Sequence, residues 1–168
     1  VLFITRFWQL GSVPLHLTQD EVVVGYEAYS ILKTGRDEWG ERFPMQFKSI
    51  GDYKQPVLVY LVAMSEVLFG LSELAVRLPS AIFSSLSVLL LWWMSERFVL
   101  SSKYKKWGFV IALIMALMPW HIRPSRMSHD GVIALFFVMV NLVMWLYFLE
   151  KQRLRYVFWG VMAGLVAI

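Results

Sequence analysis

The chain contains no cysteine, which excludes a disulfide-stapled scaffold. Charge is scarce as well. Only 17% of the 168 residues are Asp, Glu, Lys or Arg, against about a quarter in soluble domains. Intrinsic disorder is excluded from the other side, because 58% of the residues are hydrophobic and the mean hydropathy is +0.59. Neither a repeat nor a low-complexity tract interrupts the chain. A composition this apolar points to lipid as the solvent. The formal charge of +4 is unevenly spread: residues 1–56 carry six Lys/Arg against seven Asp/Glu, and residues 57–168 carry ten against five. The excess lies between apolar runs, where it sets membrane orientation, and no basic stripe remains for a nucleic acid.

What is present is a series of uncharged runs. Eighteen residues separate Arg77 from Glu96, Trp107 to Ile122 is uncharged with His121 neutral, and Gly131 to Leu149 is nineteen uncharged residues. Each approaches the roughly 20 residues that a helix needs to cross hydrocarbon. Transmembrane helices are therefore expected over residues 71–98, 107–120 and 131–149. Val57 to Gly70 is shorter and is interrupted by Glu66, so 57–70 reads as a re-entrant or interfacial helix. The apolar ends read as the end of a first membrane helix over 1–8 and the start of another over 156–168. The chain thus reads as the N-terminal part of one polytopic, all-α membrane domain.

Arg97, Lys103, Lys105 and Lys106, and then Lys151, Arg153 and Arg155, face only Glu96 and Glu150. That bias assigns both loops to the cytoplasm and places residues 9–56 and 121–130 together on the outer face. Residues 9–56 are expected to form a large outer loop with interfacial helices. Thr18-Gln19-Asp20-Glu21 fits a capping box that opens a helix, and Gly35 supplies its stop. Val22, Tyr26, Tyr29 and Leu32 fall near a 3.6-residue period, giving a face that can lie on the membrane interface.

Taken singly, the polar residues here have ordinary explanations. Asp20 and Glu21 suit the positive end of a helix dipole. Asp52 suits a turn, Asp130 a helix start, and Arg126 the anchoring of a helix end at the headgroups. Their order carries more. Asp20-Glu21 precedes Gly25-Tyr26-Glu27-Ala28-Tyr29-Ser30-Ile31-Leu32-Lys33-Thr34-Gly35. Asp37-Glu38-Trp39-Gly40, Phe43-Pro44, Gly51-Asp52-Tyr53-Lys54-Gln55-Pro56 and Gly70-Leu71-Ser72-Glu73 follow. Val76-Arg77-Leu78-Pro79-Ser80, Pro119-Trp120-His121 and Ser125-Arg126 complete the series. This ordered set resembles the GT-C glycosyltransferases, in the bacterial branch that resembles protein mannosyltransferases and lipid A aminoarabinose transferase.

The resemblance implies transfer of a sugar from a polyprenyl-phosphate donor to a protein, glycan or lipid acceptor, with inversion. It implies a multi-pass protein of the bacterial plasma membrane whose active site lies on the outer face. Asp20 falls on the family's acidic position at the start of the first outer loop, with Glu21 beside it as a second catalytic candidate. Lys54 lies in a segment resembling the acidic-Lys-Pro-Pro motif near the lipid phosphate. Gln55 stands there in place of Lys, and Val57 in place of the second Pro. Asp52, Lys54, Arg126 and Asp130 are the expected substrate and phosphate ligands, and a divalent metal held by carboxylates would be an alternative source of positive charge. A transporter or lipid-handling protein is the rival class. It would place ionisable residues at mid-span, whereas 78–95, 107–120 and 131–149 hold none, Asn141 being their one strongly polar residue.

Overall fold

The computed structural model describes residues 1–49, 52–99, 102–105 and 107–167. The architecture is nearly all-α, as expected. Helices run over Gln19–Thr34 (α1), Pro56–Phe69 (α2), Glu73–Met94 (α3), Trp107–Leu117 (α4), Pro119–Ser125 (α5), Asp130–Lys151 (α6) and Leu154–Val166 (α7). A π-helical turn, Phe3–Phe7, precedes them, and another, Ser95–Val99, extends α3. α3 with its extension and α6 are long and apolar enough to cross a membrane.

α1 starts where its capping box puts it. The Thr18 side chain accepts from the Glu21 N–H, and the Glu21 carboxylate accepts from the Thr18 N–H. It ends at Gly35, whose φ of 68° is the left-handed conformation that glycine takes without strain. The face carrying Val22, Tyr26, Tyr29 and Leu32 is exposed. A second face of α1, with Val24, Ala28 and Ile31, joins Phe47, Leu58, Val59, Val62, Val76 and Ile133 in the main core. Gly25 permits that approach, since a Cβ there would lie 2.9 Å from Val76 Cγ2.

Two expectations change. The uncharged run 107–120 is not one continuous helix: α4 and α5 meet at a bend of 60°. Pro119 brings no N–H, and its ring drives Met118 into extended backbone at ψ 121°, so the hydrogen-bond ladder cannot continue. Within 9–56, α1 is the one helix among the described residues. Phe47–Ser49 (β1) and Asp52–Lys54 (β2) instead pair antiparallel, with Phe47 opposite Lys54.

α3 is the hub of the bundle, packing against α1, α2, α4, α5 and α6. Its buried Ser80, Ala81, Ser84 and Ser87 keep that surface thin enough for close neighbours. Arg97 at one end of α3 pairs with Glu150 at the end of α6. At the other end, the His129 N–H donates to Ser80 Oγ at 3.1 Å. Polar groups thus gather towards both ends of α3.

Candidate active site

The cluster at the α1 end is built around two adjacent carboxylates that point different ways. Asp20, in the first turn of α1, leaves 73% of its side chain exposed. Its Oδ1 accepts from Lys54 Nζ at 2.8 Å. Lys54 is nearly buried, with 11% of its side chain exposed, because β2 is pinned through its partner Phe47, a residue of the main core. The hairpin thus carries a cation to the N-terminus of a helix, beside a carboxylate that the helix dipole also favours.

Glu21 is buried and fully occupied. Oε1 accepts from Arg77 Nε at 2.8 Å and from the Ser128 N–H at 3.2 Å. Oε2 accepts from the Thr18 N–H at 2.9 Å and from the Thr18 hydroxyl at 3.1 Å. Burial alone would raise its pKa, but the Arg77 guanidinium and the Thr18 and Ser128 N–H groups together hold it below the usual carboxylate value.

Arg77, wholly buried on α3, spends its remaining donors mostly on backbone, with Nη1 also reaching Glu73 Oε2 at 3.4 Å. Nη1 reaches the carbonyls of Leu10 and Pro14, at 3.2 and 3.0 Å, and Nη2 that of His16 at 2.8 Å. Arg126 works the same way on the preceding stretch. Nη1 donates to the Thr5 carbonyl, and Nη2 to those of Trp8, Gln9 and Val13. The two arginines thereby fold residues 5–16, which have no regular ladder of their own beyond Phe7, against the bundle.

Asp130 lies at the N-terminus of α6, where its Oδ1 accepts from the Gly131 N–H at 2.8 Å, and His129 Nδ1 lies 3.3 Å from it. Ser128 ties this loop to Glu21. Asp52 is on β2 opposite Ser49, and its side chain lies outside the described part of the structure. The structure therefore joins Asp20 to Lys54 and Glu21 to the 126–130 loop, while Arg126 is bound to the N-terminal segment and not to Asp20. No group of three or more His, Asp or Glu side chains is placed to hold a metal ion among the described residues.

Several buried polar groups are new relative to the sequence reading. Arg6 is wholly buried, donating to Ser84 Oγ at 2.6 Å, to the Ala116 carbonyl, and to His121 Nδ1 at 2.7 Å. An apolar opening segment hides such a residue, and its partners lie 78 to 115 positions away. Glu27, in the interior of α1, is also wholly buried. Its Oε2 accepts from the Glu38 N–H at 3.2 Å, tying the following loop to the helix, and its Oε1 has no partner among the described residues. Burial first, and then the nearby charges of Glu38 and Asp37, push its pKa up to about 7.

A consequence can be measured. The folded state holds the Glu27 proton more tightly than the unfolded chain, whose Glu titrates near ~4.3. The associated stability is complete below that value and is lost as pH rises towards 7, by roughly 3 kcal/mol at ~1.4 kcal/mol per tenfold in proton affinity. Glu27→Gln is expected to flatten the thermal-stability profile between about pH 4 and about 7. A profile with the same slope in the variant would place the titration elsewhere.

Apolar helices of spanning length define an integral membrane protein. The family described as dolichyl-phosphate-mannose-protein mannosyltransferase matches residues 53–167, well over half of the chain, and the protein belongs to that family. It is a membrane glycosyltransferase of the mannosyltransferase type, in agreement with the GT-C resemblance of its ordered motifs. No curated protein and no solved structure matches the chain.

Proposed function

We propose that the protein transfers a sugar from a polyprenyl-phosphate donor to an acceptor hydroxyl at the outer face of the bacterial plasma membrane, inverting the anomeric centre. The observation that carries this reading is the Asp20–Lys54 pair: an exposed carboxylate held 2.8 Å from an almost buried ammonium at the start of α1. The acceptor oxygen attacks the anomeric carbon from the face opposite the phosphate and gives its proton to Asp20. The anomeric C–O bond breaks through an oxocarbenium-like state, and its electron pair leaves with the lipid phosphate. Lys54 turns to that phosphate and offsets its charge. Glu21, with both oxygens engaged, serves as the positioning group that sets Asp20 and the 126–130 loop. Arg126 and Asp130 shape the walls of the site, Arg126 by holding residues 5–13 in place. The outer-face assignment rests on the cation bias of residues 97–106 and 150–156, of which Arg97 and Glu150 pair at the opposite end of the bundle.

The experiment is donor kinetics. A charge-assisted contact to phosphate contributes about 1.5–3 kcal/mol. Lys54→Ala is therefore expected to raise KM for a polyprenyl-phosphate sugar about tenfold to a hundredfold, at ~1.4 kcal/mol per decade, with Lys54→Arg recovering part of it. A donor dependence unchanged in Lys54→Ala would remove Lys54 from the phosphate site.

A further inference from the structure

The opposite end of the bundle is also organised, and the transfer reaction uses none of it. Tyr147 on α6 and Tyr156 on α7 stack with ring centroids 5.4 Å apart and planes 19° apart. Phe98 meets Tyr147 edge-on at 5.0 Å. Cations are arrayed over these three rings. Lys151 Nζ stands 5.1 Å above Tyr147 and 6.0 Å above Tyr156. Arg155 Cζ lies 5.0 Å over Tyr156, with Nη2 donating to the Tyr156 hydroxyl at 3.1 Å. Arg97 Cζ lies 4.9 Å over Phe98 and 5.8 Å over Tyr147.

The charge of this platform is not balanced. Glu150 is taken by Arg97, whose Nη2 donates to both of its oxygens at 2.6 and 2.7 Å. Glu96 accepts from Trp92 Nε1 at 2.6 Å. Among the described residues, no carboxylate pairs with Lys151, Arg153 or Arg155, and all three are exposed. A cation resting on an aromatic face keeps part of its favourable electrostatics while leaving its outer donors open. Tight pairing with a carboxylate would close those donors.

We propose that Lys151 and Arg155, set on the Tyr147–Tyr156 stack, form with the exposed Arg153 of the same turn a binding site for the phosphodiester headgroup of an anionic phospholipid. The occupant is argued from position. The turn joining α6 to α7, Lys151 to Leu154, sits at the end of a helix long and apolar enough to span the membrane. Headgroups of the adjoining leaflet are therefore the anions this surface meets at highest local concentration. Tyr147 and Tyr156 flank this turn, and amphipathic rings are favoured at a membrane–water interface. The site is independent of the Asp20–Lys54 chemistry and stands or falls separately from it.

The test uses the intact protein in nanodiscs of mixed phosphatidylglycerol and phosphatidylcholine, with co-purifying lipid counted by native mass spectrometry. Three basic residues near the surface, at roughly 1 kcal/mol each, predict retention of phosphatidylglycerol about a hundredfold over phosphatidylcholine. Replacing Lys151, Arg153 and Arg155 together by Gln should abolish that preference while the melting temperature in a neutral detergent is unchanged. Tyr156→Leu keeps every charge and removes half of the stack, so it separates a built site from diffuse attraction. It should lower the preference severalfold. Equal retention of the two lipids by the wild-type protein, or a preference that survives the triple substitution, overturns the proposal. A full preference in Tyr156→Leu also overturns it, because diffuse surface charge would then suffice.

Discussion

Arg77→Met is expected to destabilise the protein by about 3–5 kcal/mol, the cost of breaking a buried ion pair by removing one partner. Met approximates the length of the side chain, so the loss is not mainly one of volume. It strands the Glu21 carboxylate, 1% exposed, and it frees the carbonyls of Leu10, Pro14 and His16 together. The double variant Arg77→Met with Glu21→Gln should recover part of the loss, since no uncompensated charge then stays buried. The measurement is thermal unfolding in detergent. A melting temperature within error of the wild type would show that the buried pair contributes nothing net.

Asp20→Asn is expected to do the reverse: transfer falls about a hundredfold to ten-thousandfold, the range that general-base catalysis supplies, while the fold stays intact. Asn keeps the shape of Asp and remains compatible with the first turn of a helix, and the Asp20 side chain is largely in solvent. Glu21, one residue along, gives the contrast. Glu21→Gln should lose folded protein and activity in step, because its oxygens hold Arg77, Thr18 and Ser128. Parallel assays of activity and melting temperature decide the matter. Equal losses of both in Asp20→Asn would reduce Asp20 to a structural residue.

These two neighbours also show how far the sequence can be read. The Thr18–Glu21 box and Gly35 place α1 to the residue, because capping is a local code written within a few positions. Long uncharged runs place α3 and α6 for the same reason: length and hydropathy are properties of the run itself. The bend at Pro119 is different. The proline is visible, yet the run continues apolar on both sides of it, so composition hides a break that backbone geometry imposes. The three-residue strands β1 and β2 are too short to carry a period of two.

In the candidate site, Asp20 and Lys54 are each legible, from a helix start and from a resemblance, but their contact is not. The two residues lie 34 positions apart, and the β1–β2 pairing brings them together. Arg77 reads as the charge that bounds a membrane run. The i,i+4 spacing to Glu73 is legible, but the rest of its hub is not, because those partners are a carboxylate 56 positions away and backbone carbonyls, which every residue has.

The clamping of residues 5–16 also constrains how the protein is made. The carbonyl of Leu10 waits for a guanidinium 67 positions later in the chain, and that of Val13 for one 113 positions later. A ribosome delivers the N-terminal segment long before either arginine exists. Until α3 and then α5 emerge, those carbonyls must remain in water or among headgroups. Residues 5–16 are thus made before the two arginines that seal them, and their final packing has to follow the synthesis of both.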